Sequence, residues 1–300
     1  MPPAPASAAQ ACPRRRALRW ALTLPLAVAL LGAAGVRAQA AADTGLRDEV
    51  GRTSRLAELV PAEQVEAAAA EQYAQLLRQA AAQRQLLPPE DPQVRRLRAI
   101  AARLVPYAPL WNDRAAQWRW EVNLLAGREL NAFCMPGGKI AFYYGLLQQL
   151  QLSDDEVAAV MGHEIAHALR EHARERIGKT TVTRGLIELG SALFGLGGTG
   201  RVIADMGGQL LTLRFSRDDE SEADIVGLDL MARAGYDPAA GLTLWRKMLA
   251  VDRGAPPPWM STHPAGATRL RDIEARLPKV LPLYRAAAKP PQRFAPPAPA

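Results

Sequence analysis

Apolar residues recur along the chain with two spacings, which separate helical from extended segments. Over residues 61–87 they follow the 3.6-residue period of an amphipathic helix, and a pair of prolines ends it. A second helix is predicted over residues 93–105. From Gln117 the period shortens to two, which predicts a strand with one buried face, formed by Trp118, Trp120, Val122 and Leu124.

A hairpin is predicted close behind this strand. Two apolar runs, residues 130–135 and 140–144, flank a turn at 136–139 in which two glycines follow a proline. Beyond Gly145 the spacing is helical almost to the end, and the tail over 286–300 is rich in proline and alanine, which predicts disorder. The pattern therefore predicts an α+β fold that is mainly helical, with a small β-sheet or hairpin.

The first forty residues have the pattern of an export signal, whose basic residues are Arg14, Arg15, Arg16 and Arg19. An apolar run over 21–35 and then small residues follow, with cleavage expected after Ala38 or Ala40. The alternative is a retained anchor, but the run is shorter than the roughly twenty residues of a spanning helix. No cysteine follows the run, so we predict a periplasmic or cell-envelope protein that is not a lipoprotein.

Loss of the signal changes the charge of the chain. The signal contains five arginines and no acidic residue, which leaves 32 basic and 30 acidic residues and a net charge near +2. The isoelectric point of the whole chain therefore gives no reason to expect nucleic-acid binding. Cys12 is lost with the signal, so Cys134 has no partner for an intramolecular disulfide.

Three of the four histidines lie within residues 160–172. His163 and His167 are four residues apart, so on a helix their rings share one face and can bind one metal ion. Glu164 is next to a ligand without being one, which lets it activate a water molecule. Two surface histidines with a salt-bridging glutamate are the alternative interpretation.

The helix that carries this motif is predicted to start at Asp154. Ser153 and Glu156 have the spacing of a capping box. On a continuous helix His172 would lie about 180° from His163. We therefore interpret His172 as a solvated histidine in a charged run.

A third metal ligand is available on a helix predicted to end near Gly235. Glu220 and Asp224 are four residues apart on one face, so one can bind the metal while the other accepts a hydrogen bond from a ligand histidine. Glu222 points about 200° away from Glu220 and is interpreted as a solvated carboxylate. Spacing alone leaves open a solvated acidic face.

These segments resemble the zinc metallopeptidases of family forty-eight, the HtpX and CAAX prenyl protease type, and in particular periplasmic BepA-like members. Four blocks carry the resemblance: residues 131–138, 163–167, 216–224, and 261–264 with Arg269. The resemblance implies a zincin-like metallopeptidase domain over 111–285, and the helical pattern before it predicts an accessory region over 41–110. The sequence contains no repeat of 20 to 50 residues, so a repeat array is not expected.

The resemblance also implies roles for individual residues. It implies one Zn²⁺ bound by His163, His167 and Glu220, with Glu164 as the general base and Asp224 as the partner of a ligand histidine.

His263 is a further candidate, which either blocks the open metal position or stabilises the oxyanion. The alternative is a loop histidine that caps the next helix. Cys134 replaces a small alanine of the family and is interpreted as a buried apolar residue.

The hairpin is predicted to bind substrate, because an exposed strand edge can hold an extended peptide by backbone pairing. An ordinary hairpin turn is the alternative. The candidate substrate-binding residues are Asn131, Ala132, Phe133, Gly137 and Gly138.

The resemblance implies a metalloendopeptidase that hydrolyses misfolded envelope or outer-membrane proteins. We expect no nucleic-acid partner and no transmembrane helix after signal removal, and peripheral membrane contact stays open. HtpX-like members have spanning helices, whereas the glycine-interrupted stretch 185–215 predicts a buried helix pair or a lid. The alternatives are a zinc-stabilised, chaperone-like assembly factor with little proteolysis and an interaction protein without metal.

Overall fold

Helices surround a small sheet in the computed structural model, which describes residues 45–180, 182, 214–251, 258–263 and 267–299. The α-helices are α1 (Ala62–Ala82), α2 (Pro92–Leu104), α3 (Tyr144–Gln149), α4 (Asp154–Leu169), α5 (Arg217–Arg233), α6 (Ala240–Val251), α7 (Pro258–Thr262) and α8 (Ala267–Ala286). Residues 172–180 are also helical. Short 3-10 helices lie at Arg47–Glu49, Ala57–Leu59, Val105–Leu110 and Asp113–Gln117. The predicted α+β class is confirmed.

Within the described residues, the sheet has three strands in the order β1 (Glu121–Leu125), β3 (Lys139–Tyr143) and β2 (Ala132–Met135). β1 runs parallel to β3, and β2 runs antiparallel to it. The predicted hairpin is therefore present as β2 and β3. Because β3 lies in the centre, β2 is an edge strand of the sheet.

The first strand differs from its prediction in two respects. It begins at Glu121, so Trp118 and Trp120 precede it, and its residues 122–125 are all buried. One face of β1 packs against α2, while the amide of Asn123 on the other face donates to the Tyr73 hydroxyl of α1. Because both faces of β1 are covered, its residues do not alternate between buried and exposed as the sequence predicts.

The turn between β2 and β3 depends on two glycines. The Gly138 N–H donates to the Met135 carbonyl over 3.2 Å, and Pro136 and Gly137 lie between them. Gly137 has φ +81° and Gly138 has φ +78°, a region that other residues rarely adopt. The turn fixes the pairing of β2 with β3.

Helices α4 and α5 cross at a pair of glycines. A Cβ atom added to Gly162 would lie 3.0 Å from the Gly227 carbonyl oxygen, and one added to Gly227 would lie 2.9 Å from the His163 backbone nitrogen. No larger residue fits this crossing without a shift of the helices. The close approach brings side chains of α5 within reach of His163.

The core does not divide at residue 110, where the sequence predicts the accessory region to end. Leu97 and Ile100 of α2 belong to the same buried cluster as Val160 and Ile165 of α4. Helix α2 therefore supports the helix that carries the histidine motif.

The C-terminal tail lies against the body of the protein, where the sequence predicts disorder. The Gln93 and Gln151 side chains donate to the carbonyls of Ala295 and Pro297 over 3.1 and 2.9 Å. The Phe294 N–H donates to Asp154 over 2.8 Å. Proline lacks a donor but keeps its carbonyl, so side chains of the body hold this segment.

The predicted signal peptide and residues 185–213 of the predicted helix pair or lid lie outside the described residues. Within the described part of the chain, no helix combines the length and the apolar character needed to cross a membrane.

Candidate active site

The helix with the histidine motif starts where the sequence predicts it. The Ser153 hydroxyl accepts from the Glu156 N–H over 3.3 Å, and the Glu156 carboxylate accepts from the Ser153 N–H over 2.8 Å. The same reciprocal cap, with Ser216 and Asp219, starts α5. Both helices of the site therefore begin at fixed points.

Four buried side chains converge between these helices and the end of α7. His163 and His167 come from α4, Glu220 comes from α5, and His263 follows α7. One candidate ligand atom from each side chain lies within 4.8 Å of the other three. The two Nε2 atoms of His163 and His167 are 3.1 Å apart. Glu220 carboxylate oxygens lie 3.4 and 3.5 Å from them. Imidazole nitrogens and a carboxylate oxygen are zinc donors, so this set fits one zinc ion.

Asp224 lies beside Nδ1 of His163, the ring nitrogen that faces away from His167 and Glu220. Its Oδ1 is 3.1 Å from Nδ1 of His163. Arg269 of α8 donates to Asp224 through Nε and Nη2 over 2.8 and 2.6 Å, and to Glu220 through Nη1 over 2.6 Å. The sequence placed Arg269 in a motif but gave it no role, because its partners are distant in the chain.

The charges of the site favour a cation. Burial alone would raise the pKa of Asp224, but Arg269 and His163 outweigh burial and hold that pKa below its usual value. Burial alone would lower the pKa of His163, but Asp224 and Glu220 outweigh it and raise the pKa to about 9. The two carboxylates therefore stabilise positive charge on the His163 ring.

His167 is the less basic of the two motif histidines. Burial lowers its pKa well below the usual value, Glu220 opposes that shift, and the neighbouring histidines add to it. The ring is thus neutral at neutral pH, which is the state that binds a metal.

Glu164 is buried, and one of its oxygens is held in place. The indole N–H of Trp259 donates to Oε1 of Glu164 over 2.6 Å. Trp259 is fully buried and stacks on His263, with ring centres 5.1 Å apart and an angle of 29°. Sequence reasoning missed Trp259, and no spacing relates it to Glu164.

A cleft opens beside Glu164 and His167. Strand β2 forms one wall, and the predicted substrate-binding residues Asn131, Ala132 and Phe133 line it. Gly137 and Gly138 lie instead in the turn beyond the cleft. The cleft therefore runs along the edge strand.

The outer edge of β2 presents backbone groups to this cleft. The Asn131 carbonyl accepts from the Tyr143 N–H of β3 over 3.0 Å. Hydrogen-bonded and non-hydrogen-bonded residue pairs alternate along an antiparallel ladder, so the N–H and C=O groups of Ala132 and Cys134 point away from β3. The Asn131 side chain accepts from the Ala132 N–H over 3.0 Å.

Cys134 is a buried thiol, as predicted. It also lines the cleft, although it is outside the group of candidate metal ligands. Burial raises the pKa of the thiol well above its usual value, and the negative charge of Glu164 adds to the shift.

The interpretation of His172 as a solvated histidine is wrong. Helix α4 ends at Leu169, and Glu171 has φ +57°, so residues 172–180 form a separate helical segment. His172 is buried, and its Nδ1 lies 2.9 Å from Nδ1 of His167. Glu222 is also not freely solvated, because Arg170 donates to it over 2.8 Å.

A helix bears His163, Glu164 and His167, a second helix supplies a carboxylate, and an edge strand runs along the cleft. This arrangement is typical of zinc metallopeptidases. The comparison with known families agrees. Residues 92–277 match the model of Peptidase family M48, and the chain belongs to this family.

Relatives come from mitochondria and bacteria. The chain is 37% identical over 164 residues to "Mitochondrial metalloendopeptidase OMA1" of Schizosaccharomyces pombe, which covers 54% of this chain and 48% of that protein. It is 30% identical over 152 residues to "Metalloprotease LoiP" of Escherichia coli, covering 50% and 60%. It is 30% identical over 170 residues to the E. coli "Beta-barrel assembly-enhancing protease", covering 53% and 35%. The chain thus spans less than two thirds of each of these relatives.

Proposed function

We propose that this protein is a zinc-dependent endopeptidase in which His163, His167 and Glu220 hold the zinc ion and Glu164 is the general base. The observation that carries the proposal is the convergence of three buried zinc donors with the Glu164 carboxylate beside an open cleft. The family membership supports the same chemistry.

Zinc, when bound, supplies a Lewis acid that lowers the pKa of a water molecule and polarises the scissile carbonyl. Oε1 of Glu164 is held by the Trp259 indole, which leaves Oε2 to accept the proton of the attacking water. Glu164 then delivers this proton to the nitrogen of the leaving amine. Asp224 accepts a hydrogen bond from Nδ1 of His163 and thereby aims Nε2 at the metal.

The substrate in this proposal is an extended peptide that pairs with the outer edge of β2. The N–H and C=O of Cys134 are suited to this pairing, because they point away from β3. Asn131 and Phe133 border the same cleft and would contact the side chains of the peptide. The peptide would then pass in front of Glu164.

His263 is proposed to lie at the open position of the metal site, where it either blocks that position or stabilises the oxyanion. Its Nδ1 lies 3.0 Å from Oε1 of Glu220 and 3.3 Å from Nε2 of His163. A His263→Ala variant distinguishes the two roles that the sequence leaves open. Faster cleavage identifies a blocking residue, and slower cleavage at equal zinc content identifies a group that stabilises the oxyanion.

The physiological role we propose is removal of misfolded envelope or outer-membrane proteins in the periplasm. The export pattern of residues 1–40 supports the location, and two relatives from E. coli carry the names "Metalloprotease LoiP" and "Beta-barrel assembly-enhancing protease". The alternative is a chaperone-like assembly factor that binds the same clients at β2 and rarely cleaves them.

Glu164→Gln tests the proposal, because it removes the base and keeps the zinc donors. The control is Glu71→Gln, the same substitution on the exposed face of α1. We expect Glu164→Gln to retain zinc but lose cleavage of unfolded protein, and envelope fragments to disappear from cells that carry it. Wild-type cleavage by Glu164→Gln would refute the catalytic assignment. Full complementation of a deletion by this variant would favour the chaperone-like role.

A further inference from the structure

A second histidine lies behind the metal ligand His167. Nδ1 of His172 is 2.9 Å from Nδ1 of His167, and Nε2 of His172 is 3.4 Å from Oε2 of Glu222. The His172 ring is only 2% exposed. The three side chains therefore form a hydrogen-bonded series, called the line below, from His167 in the centre of the site through His172 to Glu222 on α5.

We propose that His172 and Glu222 orient His167 and select the tautomer in which it binds metal, a proposal that rests on the zinc site described above. Nε2 of His167 faces His163 and Glu220, at 3.1 and 3.5 Å. A neutral ring that binds metal through Nε2 carries its proton on Nδ1. That proton points at Nδ1 of His172.

The order of protons along the line follows from this requirement. Nδ1 of His172 must accept, so the single proton of the neutral His172 ring sits on Nε2. Nε2 faces the Glu222 carboxylate, which accepts. The reverse order would place a proton on Nε2 of His167 and close that nitrogen to a metal.

Glu222 is itself held in place. Arg170, the residue that follows α4, donates through Nε to Glu222 over 2.8 Å and through Nη2 to the Gly51 carbonyl over 2.7 Å. The acceptor at the end of the line is therefore fixed and charged. Phe215 stacks on the His167 ring at 3.9 Å, which restricts rotation of the ring.

The two ligand histidines are thus oriented in different ways. Asp224 contacts Nδ1 of His163 directly, whereas at His167 the imidazole of His172 lies between the ring and its carboxylate. Partners of this kind typically change metal affinity by about 10- to 100-fold when they are removed. His172 acts through His167, so it is a positioning residue.

The test measures zinc affinity of the full chain by competition with a chelator, without any peptide substrate. His172→Leu removes the acceptor, and we expect zinc affinity to fall about 10- to 100-fold. His172→Asn keeps an acceptor close to the position of Nδ1, and we expect it to restore most of the affinity. The absorption spectrum of the cobalt-substituted protein should shift in His172→Leu and return in His172→Asn.

Thermal unfolding of the zinc-free variants separates positioning from loss of structure. Glu222→Leu is a second variant, at a partly exposed residue, and it tests the proposal even if His172→Leu fails to fold. Its expected loss of zinc affinity is at the lower end of the same range. The proposal is overturned if Glu222→Leu binds zinc as tightly as the wild-type protein and His172→Leu, where it folds, does the same. Zinc binding by a wild-type protein that never cleaves would instead refute the proposed function alone.

Discussion

The indole of Trp259 gives a direct test of how Glu164 is positioned. Trp259→Phe removes the N–H that donates to Glu164 over 2.6 Å, but keeps an aromatic ring to stack on His263 and on Trp245. Without the donor, Oε1 of Glu164 loses its fixed partner in a buried setting. The carboxylate can then rotate away from the position in which Oε2 faces the attacking water.

The size of the effect follows from the type of hydrogen bond. Trp259 and Glu164 are 0% and 3% exposed, so solvent does not replace the lost donor. A hydrogen bond to a charged group contributes about 1.5 to 3 kcal/mol. Each 1.36 kcal/mol corresponds to about a tenfold change in rate, so kcat should fall about 10- to 150-fold.

The assay is steady-state cleavage of an unfolded protein or a fluorogenic peptide, with zinc content measured in the same samples. We expect kcat to fall while KM and zinc content stay close to wild type. The control is Trp111→Phe, because the buried Nε1 of Trp111 has no hydrogen-bond partner in the described part of the chain. Unchanged kcat in a fully zinc-loaded Trp259→Phe protein would refute the positioning role.

Three further substitutions test the surroundings of the site. Gly227→Ala places a methyl group 2.9 Å from the His163 backbone nitrogen, so chemical denaturation should show a loss of about 1 to 3 kcal/mol, with weaker zinc binding. Arg269→Met leaves two buried carboxylates without their cation, so unfolding of chelator-treated protein should show a loss of about 3 to 5 kcal/mol and a smaller one with zinc. Burial would raise the pKa of Glu156, but Lys247 and the helix cap hold it below 4.5. Glu156→Gln should therefore cost about 1 kcal/mol in urea unfolding at pH 7, and the difference from wild type should disappear as pH falls below 4.5.

The start of α4 was predictable because a capping box is a local pattern. Ser153 and Glu156 are three residues apart, and their two hydrogen bonds need no other part of the chain. The end of α4 was not predictable in this way. It involves a left-handed residue at Glu171 and a bond from Arg170 to Gly51, which is 119 positions away. The misplaced His172 is a consequence of this difference.

The candidate site likewise combines a local pattern, which was predictable, with long-range contacts, which were not. The four-residue spacing of His163 and His167 predicts a shared helix face without knowledge of the fold. Trp259 meets Glu164 across 95 positions, and Arg269 meets Asp224 across 45. Their identities carry no signal of these contacts, because the partners are brought together only by the fold.

The pair Gly162 and Gly227 shows what the metal site demands of the fold. For Glu220 to reach two histidines on another helix, α4 and α5 must approach closely near the ligands. Gly162 precedes His163 directly, and Gly227 lies seven residues after Glu220, about two turns along α5. At this point the backbone of Gly227 lies where a side chain at position 162 would have to be. A third ligand on a second helix therefore predicts small residues where the two helices cross, at a fixed number of turns from the ligands on each helix.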